Sequence, residues 1–400
     1  MTDKKICILG LGYIGLPTSA LLASKGYEVH GVDINQNVVD TINKGNIHIV
    51  EPELDTFVKA AINSGKLKAD TKPTYADVFM IAVPTPFYKN SYSPNIDYVI
   101  SATRSIASYI KEGNIVILES TSPVGTTEEV EEVLRNEGID TSKVYIAHCP
   151  ERVLPGQIMR ELVENDRIVG GLTPEATKKV ADFYRKFVQG EVLETDAKTA
   201  ELCKLTENSF RDVNIAFANE LSMLCDKFRI NVWELIELAN RHPRVNILKP
   251  GVGVGGHCIA VDPWFIVHSG GDRAKLIKTA REVNNYKTEW VIEKIKNEVL
   301  KFEKENGKLP KIACMGLTFK PDIDDLRESP ALYIARRLKA ENFNIIVVEP
   351  NIEECKEFEL VNYQDAIKEA EIIVFLVAHK EFKDLDIPNE KKFLNFCGIQ

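Results

Sequence analysis

Short apolar runs, each followed by glycine, proline or polar residues, recur through the first part of the chain and predict the strands of one sheet. Continuous runs of this kind are typical of strands that are buried on both faces. A helical pattern separates the first two runs, and strands that alternate with helices indicate a parallel sheet. The apolar runs cover residues 6–9, 29–32, 77–83, 115–118 and 144–147, and the helical pattern covers residues 17–24.

From about residue 197 the pattern changes to long helices. The first is predicted over residues 199–228 and the second over about 273–303. A linker at 305–310 then leads to a strand at 311–316, a helix at 330–340 and strands at 345–349 and 372–377. This order predicts an α/β fold class, with two Rossmann-like doubly wound domains joined by a central helical region. The predicted boundaries are 1–196, 197–304 and 305–400.

Composition restricts the class of protein. Of the 400 residues, 44% are hydrophobic and 27% are charged, which is typical of a globular protein with two or three domains. The formal net charge of -9 argues against nucleic-acid and anionic-membrane partners. The chain passes from Met1 directly into a strand pattern at 5–9, and no apolar run approaches the length of a transmembrane helix. We therefore expect no signal peptide and a cytoplasmic protein.

Cysteine usage agrees with that compartment. The eight cysteines are scattered and form no C-x-x-C pair, which fits neither a zinc site nor a disulfide framework. We expect free thiols in a reducing environment and no bound metal.

A glycine-rich turn follows the first predicted strand. Gly10, Gly12 and Gly15 would allow a tight turn, close approach of a pyrophosphate, and close packing of the next helix on the sheet. Asp33 ends the second predicted strand, where a carboxylate binds the ribose hydroxyls and disfavours NADP. Strand, glycine turn, helix, strand and acid in this order predict an NAD site. We include Tyr13 and Ile14, which lie inside the turn.

Three further predicted strands end in polar loops. In open α/β sheets, ligands bind at the carboxyl ends of the strands, so these loops are expected to converge on the cofactor. The loops contribute Thr85, then Thr121 and Thr126, then Glu151 with Arg152. For Thr85 and Thr126, ordinary turn chemistry remains an alternative explanation.

A second glycine run precedes a cysteine in the central region. Gly253, Gly255 and Gly256 lead to Cys258, and Asp262 follows four residues later. A cysteine can act as a covalent nucleophile where its surroundings favour the thiolate. The alternative is a cysteine that packs as a small hydrophobic residue beside a turn.

Polar residues also follow one face of the first long helix. Lys204, Asn208 and Arg211 recur at helical spacing. A solvated stripe is the usual explanation, but this set lacks the mixed acidic and basic pattern of a solvent face, so we predict that it lines a site. The basic, proline-broken segment 240–250 is predicted to be a loop suited to phosphate. A later loop at 319–329 carries two more cations.

Taken together, these motifs resemble those of the nucleotide-sugar 6-dehydrogenases, the UDP-glucose and UDP-N-acetylhexosamine dehydrogenase superfamily. The resemblance covers essentially the whole chain in the same three-part order. It implies an N-terminal NAD domain, a helical dimerisation region and a C-terminal UDP-sugar domain. Such enzymes oxidise the C6 alcohol of a UDP-sugar to a carboxylate and reduce two NAD. A homodimer built on about 197–300 is implied, with Arg244 reaching the neighbouring subunit's substrate.

The resemblance also implies roles for individual residues. Cys258 would be the nucleophile that forms a thiohemiacetal and then a thioester. Lys204 and Asn208 would stabilise the developing oxygen charge, and Lys204 or a relay through water and Asp262 would accept the alcohol proton. Asp262 and Thr121 would position water, and Glu151 would be the base for thioester hydrolysis. The implied UDP-sugar contacts, besides Lys204 and Asn208, are Arg152, Val153, Arg211, His242, Arg244, Gly255, Phe319 and Lys320, whereas Arg327 would reach the NAD.

One departure indicates a branch of the family. The UDP-glucose enzymes typically carry a second glutamate where this chain has Pro155. The segment Cys149-Pro-Glu-Arg-Val-Leu-Pro-Gly156 is typical of the N-acetyl branch. We therefore expect a UDP-N-acetylhexosamine substrate, with the mannosamine epimer favoured, the glucosamine epimer open and UDP-glucose less favoured.

Two other classes of protein remain as alternatives. A non-catalytic NAD-sensing protein would keep the fold, but loss of the thiol or its cation would be expected, and Cys258 and Lys204 are present. A two-electron 3-hydroxyacid dehydrogenase would need neither the thiol nor a third domain.

Overall fold

A computed structural model describes residues 4–88, 91–256 and 258–399. The chain folds into two compact units, Met1–Thr206 and Glu207–Gln400. The division falls within one long helix, and each unit is described by itself below. The three-domain boundaries at 196 and 304 stay a prediction.

The first unit is built on a sheet of eight strands in the order β10-β9-β8-β7-β4-β1-β2-β3. Every neighbouring pair is parallel except β8 and β9, and β5 with β6 forms a separate antiparallel ribbon. The strands are β1 (Lys5–Leu9), β2 (Glu28–Val32), β3 (Leu67–Asp70), β4 (Val78–Ile81), β5 (Phe87–Tyr88), β6 (Ser93–Pro94), β7 (Ile115–Leu118), β8 (Tyr145–His148), β9 (Arg167–Gly171) and β10 (Val192–Asp196).

Helices lie on both faces of this sheet because successive residues of each buried strand point to opposite sides. In β1, Ile6 and Ile8 join one apolar cluster, whereas Cys7 and Leu9 join the other. The helices are α1 (Gly15–Ser24), α2 (Gln36–Asn43), α3 (Leu54–Asn63), α4 (Asp97–Ala107), α5 (Thr126–Asn136), α6 (Ile158–Glu164), α7 (Pro174–Tyr184) and α8 (Ala197–Phe228), with a 3-10 turn at Thr141–Lys143.

The strand register places the predicted loops at one edge of the sheet. Leu9 pairs with Ile81, Ile81 with Leu118, and Leu118 with His148. The residues that follow these four strands therefore begin side by side at the carboxyl edge, which is where such sheets bind ligands.

The second unit contains the rest of α8 and a parallel sheet of four strands in the order β12-β11-β13-β14. Its helices are α9 (Val232–Ala239), α10 (Asp262–Gly270), α11 (Lys275–Asn306), α12 (Pro330–Ala340) and α13 (Tyr363–Glu369), with 3-10 turns at Gly271–Arg273 and Lys380–Phe382. Its strands are β11 (Ile312–Met315), β12 (Ile345–Val348), β13 (Ile372–Phe375) and β14 (Lys392–Asn395).

The predicted α/β fold class is confirmed, with a parallel sheet in the second unit, a sheet that is parallel except for β8 and β9 in the first, and long helices between them in the sequence. In the described part of the chain, no helix is both long enough and apolar enough to cross a membrane.

Candidate active site

In the glycine turn after β1, Gly10 and Gly15 are closely packed, whereas Gly12 faces open space. Gly10 has φ +90°, and a Cβ there would lie 2.6 Å from the carbonyl oxygen of Ala82. A Cβ on Gly15 would collide with the carbonyl oxygen of Gly10, whereas a Cβ on Gly12 would meet no atom within 4 Å. The open side of Gly12 therefore leaves room for a phosphate before the N-terminus of α1, as a dinucleotide requires.

Asp33 stabilises this turn directly. Its Oδ2 accepts from the Leu11 N–H at 3.1 Å, and its Oδ1 accepts from the Asn35 N–H at 2.9 Å. The carboxylate is thus held beside the glycine turn, where it can also accept from a ribose. Tyr13 is 39% exposed, and Ile14 is the N-cap residue of α1.

Loops after β4 and β7 are joined by a hydrogen bond. The Thr85 hydroxyl donates to the carbonyl oxygen of Thr121 at 2.5 Å, and Ser120 Oγ donates to the carbonyl oxygen of Val83 at 2.7 Å. Thr126 is different, because its hydroxyl is buried and donates to the carbonyl oxygen of Pro123 at 2.7 Å. Thr85 and Thr121 are therefore brought together, whereas the Thr126 hydroxyl is used within its own loop.

Glu201 was not predicted from the sequence, yet it fixes the Thr121–Thr126 loop. This buried carboxylate accepts from the N–H groups of Gly125 and Thr127 at 2.6 and 2.7 Å, and from the Thr127 hydroxyl at 2.6 Å. Burial is the main cause that raises its pKa. The contact ties the start of α8, three residues before Lys204, to the N-terminus of α5.

Glu151 is held in a buried ion pair. Its Oε2 lies 2.5 Å from Nη1 of Arg167, whose side chain is 2% exposed, and its Oε1 accepts from the Arg152 N–H at 2.7 Å. Nearby, Tyr184 donates to Glu119 at 2.6 Å. Burial, with a further contribution from the Glu151 charge, raises the pKa of Glu119 to about 7. The candidate base thus has a neighbouring carboxyl that was not predicted.

The loop that follows Glu151 is also anchored by a buried acid. Glu51 accepts from the Gly156 N–H at 2.8 Å and from the Ile158 N–H at 2.7 Å. Val153 packs against the apolar cluster on the same side of the sheet. Glu51 lies more than 100 residues before its partners, so no local motif could have revealed it. Arg167 and Glu201 likewise stand among other polar residues, so nothing in the local sequence distinguishes them.

In the second unit, the structure brings together the thiol loop, Asp262 and Asn208. Cys258 is exposed, and its carbonyl oxygen accepts from the N–H groups of Val261 and Asp262 at 3.1 and 2.8 Å. Asn208 donates through Nδ2 to Asp262 Oδ2 at 2.6 Å, and both side chains are buried. The predicted nucleophile, the amide and the carboxylate therefore belong to one connected set. Lys204, half-buried, precedes Asn208 by one turn of α8, and Arg211 is exposed.

The glycine run packs against the loop after β11. A Cβ on Gly255 would lie 2.7 Å from Cβ of Phe319, and Gly256, with φ +83°, would bring a Cβ to 2.9 Å from the Phe319 ring. The Gly256 N–H donates to the carbonyl oxygen of Arg327 at 3.1 Å. Gly255 and Phe319 thus lie together, as a shared ligand requires. Lys320 is exposed.

The side chains of Arg327, His242 and Arg244 are exposed. The Arg327 guanidinium donates to both oxygens of Asp325, with a shortest distance of 2.6 Å. His242 and Arg244 lie on an exposed loop, where the Arg244 N–H donates to His242 Nδ1 at 3.3 Å. Their side chains are placed on the surface of this unit, and their predicted roles toward NAD and UDP-sugar stay predictions.

Comparison with known proteins identifies three matching family domains along the chain. Models of the UDP-glucose/GDP-mannose dehydrogenase family match residues 4–188 as its NAD binding domain, 198–286 as its central domain and 313–396 as its UDP binding domain.

Individual relatives span nearly the full chain. A UDP-N-acetyl-D-mannosamine dehydrogenase from Campylobacter jejuni is 57% identical over 98% of this chain and 99% of its own. An NDP-N-acetyl-D-galactosaminuronic acid dehydrogenase from Ralstonia nicotianae is 54% identical over 96% of this chain and 92% of its own. The solved structure of the Staphylococcus aureus UDP-N-acetyl-mannosamine dehydrogenase Cap5O is 43% identical, with a TM-score of 0.88 over 98% of each chain.

Proposed function

The chain belongs to the UDP-glucose/GDP-mannose dehydrogenase family, and from this premise we propose that it oxidises UDP-N-acetyl-D-mannosamine to the uronate. It is an NAD-dependent nucleotide-sugar dehydrogenase. The observation that carries the proposal is the exposed Cys258, whose carbonyl oxygen accepts from the N–H of Asp262, the residue that also accepts from Asn208 at 2.6 Å. Several relatives at 53–57% identity bear the name of that activity.

The first oxidation needs a group that takes the proton of the C6 alcohol and groups that hold the oxygen. We assign both to α8, where Lys204 and Asn208 lie one turn apart and Asn208 donates to Asp262. A cation and an amide donor aimed at the oxygen stabilise the charge that develops there. The chemistry that NAD supplies when bound at the Gly10–Gly15 turn is acceptance of one hydride in each of two oxidations.

The second oxidation explains why a dehydrogenase carries a thiol. A free aldehyde has no alcohol-like C–H and O–H pair to oxidise, but addition of the Cys258 thiol across the C6 carbonyl creates one as a thiohemiacetal. Loss of its hydride and hydroxyl proton gives a thioester, which water cleaves to the carboxylate and the free thiol. Asp262 and Thr121 would place that water. Glu151 would act as its base, with Arg167 fixing the direction of the carboxylate.

Binding of the diphosphate requires positive charge that the acidic chain as a whole lacks. Exposed Arg211, Arg244 and Lys320 supply it in the second unit, and Arg152 supplies it in the first, while His242 would add a hydrogen bond. The match to a UDP binding domain at residues 313–396 supports this assignment for Lys320, which lies within that range.

A homodimer built on about residues 197–300 is part of the proposal. Helix α8 exposes Phe210, Phe217 and Leu224 at intervals of seven residues, so they form one apolar stripe, with exposed fractions of 68, 58 and 42%. An exposed stripe of large apolar side chains is typical of a protein interface. The exposed Arg244 would then reach the substrate of the neighbouring subunit.

We also propose that the enzyme works in the cytoplasm. None of the eight cysteines, Cys258 included, forms a disulfide in the structure. A thiol that must attack an aldehyde has to stay reduced, which the cytoplasm ensures.

A substrate panel tests the proposed activity. The full chain with NAD is assayed with the UDP forms of N-acetylmannosamine, N-acetylglucosamine, N-acetylgalactosamine and glucose. The third sugar is included because a relative at 54% identity bears a galactosaminuronic name. We expect the highest kcat/KM with UDP-N-acetyl-D-mannosamine. A higher value with another sugar would overturn the substrate assignment, and no NADH with any of them would overturn the activity.

A further inference from the structure

A side chain of α11 contacts the backbone of the loop that leads to Cys258. Thr288 Oγ1 donates to the carbonyl oxygen of Val252 at 2.8 Å. A Cβ on Gly253, which has φ +142°, would collide with the same hydroxyl oxygen. The loop backbone therefore rests directly on the Thr288 hydroxyl, and only glycine allows this approach.

A second anchor comes from α8. The Gly251 N–H donates to Asn219 Oδ1 at 2.9 Å, and Asn219 is fully buried. Asn219 donates through Nδ2 to Asn284 Oδ1 at 2.9 Å, which joins α8 to α11. Asn284 in turn donates to Asp212 Oδ1 at 2.8 Å, and Arg281 donates to the same oxygen at 2.6 Å.

The ion pair of Asp212 and Arg281 determines the direction of each hydrogen bond in this series. A carboxylate paired with arginine only accepts hydrogen bonds, so Asn284 must present its NH2 group to Asp212 and its oxygen to Asn219. Asn219 must then present its own NH2 group to Asn284 and its oxygen to the Gly251 N–H. A buried ion pair thus determines, through two amides, which atom meets the loop. Asn219, Asn284, Asp212 and Arg281 are each at least 98% buried.

We infer that Asn219 and Thr288 are positioning residues that place the 251–256 loop, and with it the Cys258 thiol, for attack on C6. The inference rests on the proposed role of Cys258. Asn219 and Thr288 each form a hydrogen bond with the backbone of this loop. Beyond the loop, the Asp262 N–H donates to the carbonyl oxygen of Cys258. A displacement of about 1 Å in a reacting group can lower a rate about a hundredfold.

The test compares Thr288→Val and Asn219→Ala with two controls in the full chain. Thr288→Val keeps the shape and removes the hydroxyl, whereas Thr288→Ser restores the hydroxyl. Thr103→Val removes another buried hydroxyl, which donates to a backbone carbonyl at 2.7 Å in α4 of the first unit. For each variant, kcat, both KM values, the thermal midpoint and the rate of Cys258 alkylation by iodoacetamide against pH are measured, the last by mass spectrometry.

We expect Thr288→Val and Asn219→Ala to lower kcat by about tenfold or more, with KM for NAD unchanged and a shifted alkylation profile. Thr288→Ser and Thr103→Val should keep kcat near that of the parent enzyme. The inference is overturned if Thr288→Val loses only stability, as Thr103→Val does, while kcat and alkylation stay unchanged. Because alkylation needs no substrate, it reports on the loop even if another residue proves to be the nucleophile.

Discussion

At the scale of single residues, the thiol is the assignment on which the mechanism depends. Cys258→Ser keeps the size and a hydroxyl, but serine ionises far less readily and would form an ester in place of a thioester. We expect the variant to bind NAD and UDP-sugar and to stall during or after the first oxidation. Rapid-mixing measurement of NADH formation checks this.

The matched control is Cys355→Ser, at a half-buried thiol of the same unit, which is expected to turn over normally. Lys204→Ala is expected to slow the first oxidation as well, because support for the alcohol oxygen is lost before any adduct forms. Turnover by Cys258→Ser near the parent rate would show that the glycine and cysteine loop is only structural.

Asp33 provides a second test at this scale. Its charge beside the glycine turn should oppose the additional phosphate of NADP, so we expect NAD to be preferred by about tenfold or more, which is about 1.4 kcal/mol. Asp33→Asn keeps an oxygen that can accept from the Leu11 N–H and removes the charge, so the preference should fall. Steady-state kcat/KM with both cofactors measures it, and equal efficiency in the parent enzyme would place Asp33 away from the ribose.

Sequence could predict the residues that belong to local motifs and not those that support them. Cys258, Asp262 and the glycine turn are each visible within about a dozen residues of sequence. Glu51, Arg167, Glu201 and Asn219 act on loops that only the fold brings near them. Their partners are set by tertiary packing, on which spacing along the chain carries no information.

At the scale of elements, the exposed stripe of α8 predicts how the chain assembles. Phe217→Glu puts a charge in the middle of that stripe, and burying an unpaired charge in an interface is costly. We expect light scattering to give the mass of two chains for the parent and of one for the variant. Leu309→Glu, at an apolar residue with 62% exposure outside the proposed interface, should stay a dimer. A parent enzyme that is active as a monomer would contradict the proposed interface.

The inner face of α11 carries a buried amine whose effect depends on pH. Lys287 is 2% exposed, and burial lowers its pKa from 10.5 to about 7. Between these two values the unfolded chain binds a proton that the folded chain does not, so stability increases with pH over that window. Below about pH 7 the full free-energy cost of burying the charged amine is present. This cost disappears as the pH approaches 10.5, the pKa of the lysine in the unfolded chain.

Lys287→Met removes this penalty and should stabilise the protein most at the lower end of the window. Urea unfolding at about pH 6.5 and about pH 9.5 measures the difference in free energy of unfolding between variant and parent. We expect a larger gain at the lower pH. An equal gain at both values would mean that the amine is not neutralised by folding.

Long, strongly patterned elements were predictable and short edge strands were not. The structure places α8 at Ala197–Phe228 and α12 at Pro330–Ala340, close to or equal to the predicted bounds. Strands β3, β10 and β14 were missed because charged residues interrupt them, as in Lys68 of β3 and Glu194 of β10. Strand β9 begins with Arg167 and ends in two glycines, so it too lacks a continuous apolar run.

At the scale of the whole molecule, one chain joins an NAD domain, a thiol-bearing central region and a UDP domain. This combination is needed only if one enzyme carries a sugar alcohol through two oxidations before release. A two-electron dehydrogenase would require the cofactor domain and no nucleophile.

The proposed double oxidation is tested by the ratio of NADH formed to UDP-sugar consumed at exhaustive turnover. NADH is measured by absorbance, and the sugar nucleotide and its uronate by chromatography of the same samples. We expect two NADH for each UDP-sugar, with the uronate as product and little free aldehyde. One NADH for each UDP-sugar, with the aldehyde accumulating, would contradict the mechanism.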